Sequence, residues 1–311
     1  MRWKKWSVAA LLICIVTLSA TPTTVDASSL FKAGPEMPGV KNYGWVPQGL
    51  TYLKSKNWLL ISNYWDQGKG AEGHPSTIAV VDKASGKYVK NVYLYEGKGK
   101  KHYGHVGGIA VTSNYLWVAS TTGKHSYLLQ YPLSSLISTK SKGNIYPKKV
   151  HNLKHATSYV TYHYKYKKNN PTPDKQLCIG QWVPKSKGSH GNLYCHSLDK
   201  NENFSAKYTT YQTPTDVQGV EFYGKDVDNS AYVLYSRSFG RKYDSKLDIY
   251  KGFGSKAKKV KSVTMHSMSE EIVQVGSQLY VSFESGAKKY RRGGKRQTYH
   301  LYYGNIKSLV K

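Results

Sequence analysis

The string Val46-Pro47-Gln48-Gly49-Leu50-Thr51-Tyr52 returns in altered form along the chain, and its period limits what the chain can fold into. Related strings are His105-Val106-Gly107-Gly108-Ile109-Ala110-Val111, Asp216-Val217-Gln218-Gly219-Val220-Glu221-Phe222 and Met268-Ser269-Glu270-Glu271-Ile272-Val273-Gln274, with a more divergent copy at His155–Thr161. With Gln48, Gly107, Thr157, Gln218 and Glu270 as one column, the spacings are 59, 50, 61 and 52 residues. A period of this length marks a repeat protein whose unit is one supersecondary block.

Inside each unit, runs of β-branched and aromatic residues are separated by Gly, Asn, Asp, Lys or Ser, which is the grammar of an antiparallel meander. Blade one reads as Gly49–Leu53, Trp58–Asn63, Ser76–Asp82 and Tyr88–Tyr95. The second and fourth units follow suit, and the third, around Tyr131–Tyr211, is the least regular, with a long turn expected at Lys167–Lys175. The last unit has three strands, and a strand near Leu30–Lys32 is expected to supply the fourth, pairing the two ends of the chain and limiting exposed edges. The expected fold is therefore an all-β, single β-propeller of five blades with four antiparallel strands each, with six blades as the alternative if the third region hides another. Helix is expected only as a turn at Ser134–Ser138.

Residues 1–27 read as a secretory signal: a basic start (Arg2, Lys4, Lys5), an apolar run from Val8 to Leu18, and small residues ending at Ala27. Residues 28–45 read as a lead-in with the closing strand, and 46–311 as the propeller. The formal charge is +28, and loss of residues 1–27 removes three bases and one acid, leaving +26. Charge of that sign and size points to an anionic polymer, and outside a cell to teichoic-acid phosphates, acidic lipids or extracellular DNA. The plainer reading is that Lys keeps a Tyr-rich exported surface soluble. A secreted, cell-wall-associated monomer with no transmembrane segment after cleavage is expected. Cys178 and Cys195 lie in neighbouring strand patterns, where a hairpin could set them opposite each other; a disulfide is expected, with two buried thiols as the alternative.

In a propeller the inner strand of each blade lines the channel, and the loops between second and third strands open on the mouth where those strands begin. That scheme gathers Gln48, His105, Gln218, Glu270 and Glu271, and from the loops Asn63, Asp66, His74, His125, Gln181, His190, Arg237, Arg241, Glu284 and Lys288. His105 and Glu270 are the candidates for acid–base work. Gln48, Asn63, Asp66, His105, Gln218, Arg237, Glu270 and Glu284 are the candidate ligand-binding set. Alternation along a strand allows only one of Glu270 and Glu271 to face the channel. No organic cofactor is expected; Asn63 and Asp66 with Glu270 could hold a hard cation such as calcium. Alternatively, Gln48, Gln218 and Glu270 simply bond one another to close the ring. Trp65, Tyr64, Phe239, His105 and Arg237 could form a platform for a sugar or phosphate. The run Tyr290–Arg296 is the densest basic spot, and Arg291, Arg292, Lys295 and Arg296 are the expected polyanion contacts. No Gly-x-Ser-x-Gly elbow, phosphate-cradling Gly-rich loop or His-Glu-x-x-His occurs, and nothing marks a sequence-specific nucleic-acid reader.

The strings Val217-Gln218-Gly219 with Asn229–Val233, Ser269-Glu270-Glu271-Ile272 with Leu279–Phe283, and His105 with Ile109-Ala110-Val111 resemble repeats of helveticin-type bacteriocins of lactic acid bacteria. The resemblance implies a secreted or surface-acting, cell-wall-interacting protein with no assigned catalytic set. The sequence thus leads to a secreted basic propeller that binds anionic cell-envelope polymer or glycan, bacteriocin-like in action. Its rival is a secreted hydrolase of esters, lactones or phosphodiesters, metal-dependent or relying on His105 and Glu270.

Overall fold

The structure, a computed structural model, describes residues 23–26, 30–66, 73–122, 125–167, 170–225 and 230–311. The chain forms five antiparallel sheets arranged as the blades of a propeller. Blade one is Trp45–Leu53, Trp58–Trp65, Thr77–Asp82 and Tyr88–Gly97; blade two is His105–Val111, Tyr115–Thr122, His125–Pro132 and Lys149–Leu153. Blade three is Tyr159–Lys167, Asn170–Gly180, Gly191–Leu198 and Phe204–Thr213; blade four is Val217–Tyr223, Tyr232–Arg237, Ser245–Lys251 and Lys258–Met265. Blade five takes Ser269–Val275, Gln278–Phe283 and His300–Asn305 from the end of the chain and Lys32–Glu36 from its beginning, with Lys32 opposite Tyr303. The irregular third region holds one blade and not two.

Within blade three the second strand begins at Asn170, well before Gln176, because the hairpin continues past the expected turn with Lys165 opposite Asp174. The segment read as a signal lies outside the described residues except for Thr23–Asp26, which run parallel to the outer strand of blade four. Among the described residues helix is confined to short pieces such as Leu133–Ser138.

The repeated string is the inner strand of each blade, and it carries a second shared feature that its letters hide. Ladder register slips between Pro47 and Leu50, Val106 and Ile109, Val217 and Gly219, and Ser269 and Ile272. A bulge at this point bends the inner strand where the blades crowd the axis. The glycines of the column answer the same crowding. A Cβ on Gly107 would overlap the carbonyl oxygen of Ser158 in the next blade, and one on Gly219 would sit 2.7 Å from Glu271 Cα.

Blades are also stitched by serines on their second strands. Ser62 Oγ donates to Gly107 O (2.7 Å), Ser282 Oγ donates to Gln48 O (3.2 Å), and the Ser236 and Ser269 hydroxyls share a bond of 2.8 Å. Each joins a blade to its neighbour's inner strand inside an otherwise apolar interface, where an unpaired hydroxyl would be costly. The interfaces are filled by fully buried side chains that include Trp117, Tyr131 and Tyr159.

Cys178 and Cys195 are directly opposite in neighbouring strands of blade three and form a disulfide. It closes a loop with a sequence separation of 17 in a fully buried position. Replacing both cysteines by alanine should lower the unfolding free energy by about 2–4 kcal/mol in urea titrations. An unchanged midpoint would show that the strands alone set blade stability.

Candidate functional site: the two ends of the channel

Four of the residues singled out in the sequence meet where the inner strands begin. Gln48 Nε2 donates to Glu284 Oε2 (2.7 Å), Gln218 Nε2 donates to Glu270 Oε1 (3.1 Å), and the Glu270 and Glu284 carboxyls hydrogen-bond each other. Blades one, four and five thus contribute to one polar layer. Two carboxyls in contact cannot both ionise at little cost, so the pair shares a proton. Burial raises Glu270 well above the usual carboxyl range, and the neighbouring Glu284 raises it further. Burial also raises Glu284, to about 7, against the lowering effect of the Gln48 amide and the Lys289 ammonium. Glu270 and Glu284 are 3% and 8% exposed, so the layer meets solvent only at its edge.

Above this layer stand two candidates of the sequence, His105 and Asp66, together with Tyr64 of the expected platform, Tyr290 of the basic run, and Lys289, which the sequence did not single out. The Tyr64 and Tyr290 hydroxyls lie 3.1 Å apart, and both phenols are pushed up by burial and by the Glu284 charge. Lys289 Nζ donates to Tyr64 Oη (3.2 Å) and pairs with Asp66 (3.2 Å). His105 packs its ring on Tyr64 at 4.6 Å, and desolvation with the Lys289 charge lowers it to about 4. It is a neutral imidazole at physiological pH. Lys289 and Tyr290 carry no periodic signal, because they sit on a single helical turn, Lys288–Arg291, between two strands.

Glu271 corrects the expectation that strand alternation would turn it away. The bulge between Ser269 and Ile272 breaks the alternation, and both glutamates reach toward the axis at different depths. Glu271 Oε2 accepts from Leu50 N (3.0 Å) and Ile109 N (2.6 Å), and the carboxyl also accepts from the Val160 amide. One side chain from blade five therefore serves the inner strands of blades one, two and three.

The remaining candidates go elsewhere. Arg237 is committed inside blade four, donating to Thr215 O (2.7 Å) and Asp248 Oδ2 (2.7 Å), with Phe239 against its guanidinium. Asn63 turns into a separate pocket on blade one. Arg291 ties its loop to the lead-in by donating to Gly286 O, Val40 O and Lys41 O, and Lys295 is paired with Asp244. Arg292 and Arg296 are exposed. The oxygen set imagined for a hard cation is not assembled, since Asn63 and Asp66 have separate surroundings. Among the described residues no group of three or more His, Cys, Asp and Glu is placed to hold a metal.

The basic run does come to the mouth, and it comes with company. Lys295 N donates to Arg241 O (2.8 Å), and Arg241 Nη1 donates to Arg292 O (3.3 Å) while its guanidinium lies over Tyr290. These bonds join the loop after the second strand of blade four to its counterpart in blade five.

The other end of the channel is a cavity of about 720 Å³ lined by Tyr52, Thr161, His163, Glu221, Glu271 and Gln274 among others. Glu221 accepts from Phe222 N (2.9 Å) and Gln274 N (2.7 Å), and burial raises it to about 7. His163 lies flat on Phe222 at 3.9 Å and is lowered to about 4 by burial.

No family model and no curated protein matches the chain, so the helveticin-type strings find no support there. Solved structures do resemble it. A GH43 beta-xylosidase/alpha-arabinofuranosidase from a compost microbial metagenome, in complex with xylotriose in a calcium-free form, has a TM-score of 0.52 at 8% identity, over 89% of this chain and 95% of that one. Glutaminyl cyclase of Myxococcus xanthus has a TM-score of 0.48 at 12% identity, over 85% and 94%. An exo-beta-1,3-galactanase of Phanerochaete chrysosporium with galactose has 0.49 at 9%, over 88% and 62%. At these identities the likeness is one of fold. No helix among the described residues is long and apolar enough to cross a membrane.

Glu221 gives a pH test whose sign is fixed. Its folded value of about 7 exceeds the ordinary 4.5, so between those values the folded chain holds a proton the unfolded chain has lost. Its contribution to stability is complete below the ordinary value and is lost as pH rises through the folded one. Glu221→Gln cannot ionise and loses nothing. The Tm difference, variant minus wild type, should therefore grow in the variant's favour from about pH 5 to about pH 8; a flat or shrinking difference would contradict the assignment.

Proposed function

We propose that the protein is an exported propeller that binds an anionic cell-envelope polymer or glycan at the basic mouth of its channel. The observation that carries this reading is the joining of two loops that brings Arg241, Lys289, Arg292 and Lys295 together at one opening. The formal charge of +28 supplies the long-range attraction, and the exposed Arg292 and Arg296 supply forked donors for phosphate or carboxylate oxygens. The disulfide of blade three supports an oxidising compartment. The helveticin-type strings are in keeping with an envelope target.

A second reading is favoured by the Glu284 carboxyl, poised at about 7 against Glu270. In direct contact the two cannot flank a scissile glycosidic bond, which needs carboxyls about 5 Å or more apart. They would act as one proton-holding unit, giving or taking a proton at the Glu284 oxygen while Lys289 offsets developing negative charge.

Sedimentation with purified cell walls over a salt series separates the readings. Binding should be strong at low salt, fall steeply as salt rises, weaken on removal of wall teichoic acid and weaken again in an Arg292→Glu/Arg296→Glu variant. Binding indifferent to teichoic acid and to both substitutions would overturn the first reading. Turnover of an ester, lactone or phosphodiester that disappears in Glu284→Gln would establish the second.

A further inference from the structure

Blade one carries a pocket that neither end of the channel uses. Cross-strand register builds it: Trp45 faces Trp65 on the first two strands, and the row Pro47, Asn63, Thr77, Tyr93 crosses all four. Trp45 and Trp65 meet edge to face at 4.8 Å, and His74 stands edge-on to Trp65 at 4.6 Å. The lead-in closes one side. Gly39 adopts a left-handed φ of 79°, and a Cβ there would strike the Trp45 ring, so only glycine lets the backbone press onto the indole. The resulting cavity is about 490 Å³, with Tyr43, Asn91 and Lys142 at its rim. That volume suits a small ligand or one to two sugar rings.

In the floor lies Asn63, 1% exposed. Its Nδ2 donates to Ile61 O (3.1 Å), whereas its Oδ1 has no hydrogen-bond partner. A buried amide oxygen without a donor costs free energy, and one facing a pocket is repaid by a ligand that donates to it. The lining has partly exposed indole and phenol rings and an orphan acceptor. Among the described residues its lining has no carboxylate, and Lys142 at the rim disfavours a cationic ligand. Rings that offer a flat face, together with a deep acceptor, fit a molecule with an apolar C–H face and hydroxyl or amide donors at its edge.

We propose that this pocket is a glycan-binding site, distinct from the channel mouth, that seats one pyranose ring against Trp65 and Trp45 with a hydroxyl or acetamido N–H donated to Asn63 Oδ1. It stands on the pocket alone and does not depend on the reading of the mouth.

Tryptophan fluorescence of the full chain, titrated with cellotriose and with chitotriose, tests it. A saturable change is expected with at least one trisaccharide. Trp65→Ala and Tyr43→Ala should each weaken binding by about tenfold. Tyr43 is 61% exposed, so its replacement leaves the fold intact and keeps the test valid if Trp65→Ala is unstable. Asn63→Leu should also weaken the sugar, because it removes the acceptor while keeping about the same side-chain shape. Arg292→Glu/Arg296→Glu should leave the sugar titration unchanged, and Tyr43→Ala should leave salt-dependent wall binding unchanged. Absence of saturation with both sugars, saturation that survives Tyr43→Ala and Asn63→Leu, or saturation by indole alone would overturn the proposal.

Discussion

The inner strand of a propeller blade is a sheet edge turned toward the axis, and its amides have no ladder partner on that side. Glu271 answers this for blades one, two and three at once, accepting from Leu50, Ile109 and Val160 amides. A carboxyl buried this deeply is costly unless paired, and unpaired amides are costly as well; each removes the other's penalty. The arrangement needs backbones that come within contact distance of the side chain, which is why glycine stands at 108 and 219, where a Cβ would strike Glu271. Ring closure, bulge position and glycine column are thus one constraint seen three ways.

The same desolvation sets the chemistry of the channel's ends. At the mouth it raises Glu270 and Glu284 together, so that they hold one proton between them, while Lys289 keeps Glu284 near 7. At the opposite end it raises Glu221, which accepts from two backbone amides and lines the same cavity as Glu271. Buried carboxyls therefore line both ends, and lysines accompany them at both, Lys54 and Lys83 at the far end and Lys289 at the mouth. What the mouth adds is the pair of joined basic loops, and on the proposed reading that makes it the working face.

Much of this was legible in the sequence because it is periodic. The column of Gln48, Gly107, Thr157, Gln218 and Glu270 led to five blades and to the meeting of Gln48, Gln218 and Glu270, since equivalent positions in a ring must converge. The cysteine pair was legible from strand neighbourhood. What was hidden depended on single events. The bulge before Ile272 brings Glu271 to the axis against strand alternation, and no residue type announces it. Arg237 and Arg291 looked available because nothing in the string reveals Thr215, Asp248 or the Val40 and Lys41 carbonyls as their partners. The serines at 62, 236 and 282 fall at one place in the second strand of three blades and were a readable signal for the stitches. The Asn63 pocket was invisible, because its walls come from the lead-in and from four strands whose register had to be known.

The proton shared between Glu270 and Glu284 beneath the basic mouth is the feature on which the working face rests, and infrared spectroscopy reads it directly. At neutral pH the wild-type protein should show a protonated-carboxyl C=O band, shifted by exchange into deuterated water, that loses intensity in Glu270→Gln/Glu284→Gln. An undiminished band in that double variant would mean that neither carboxyl holds a proton in the folded protein, and would contradict the account.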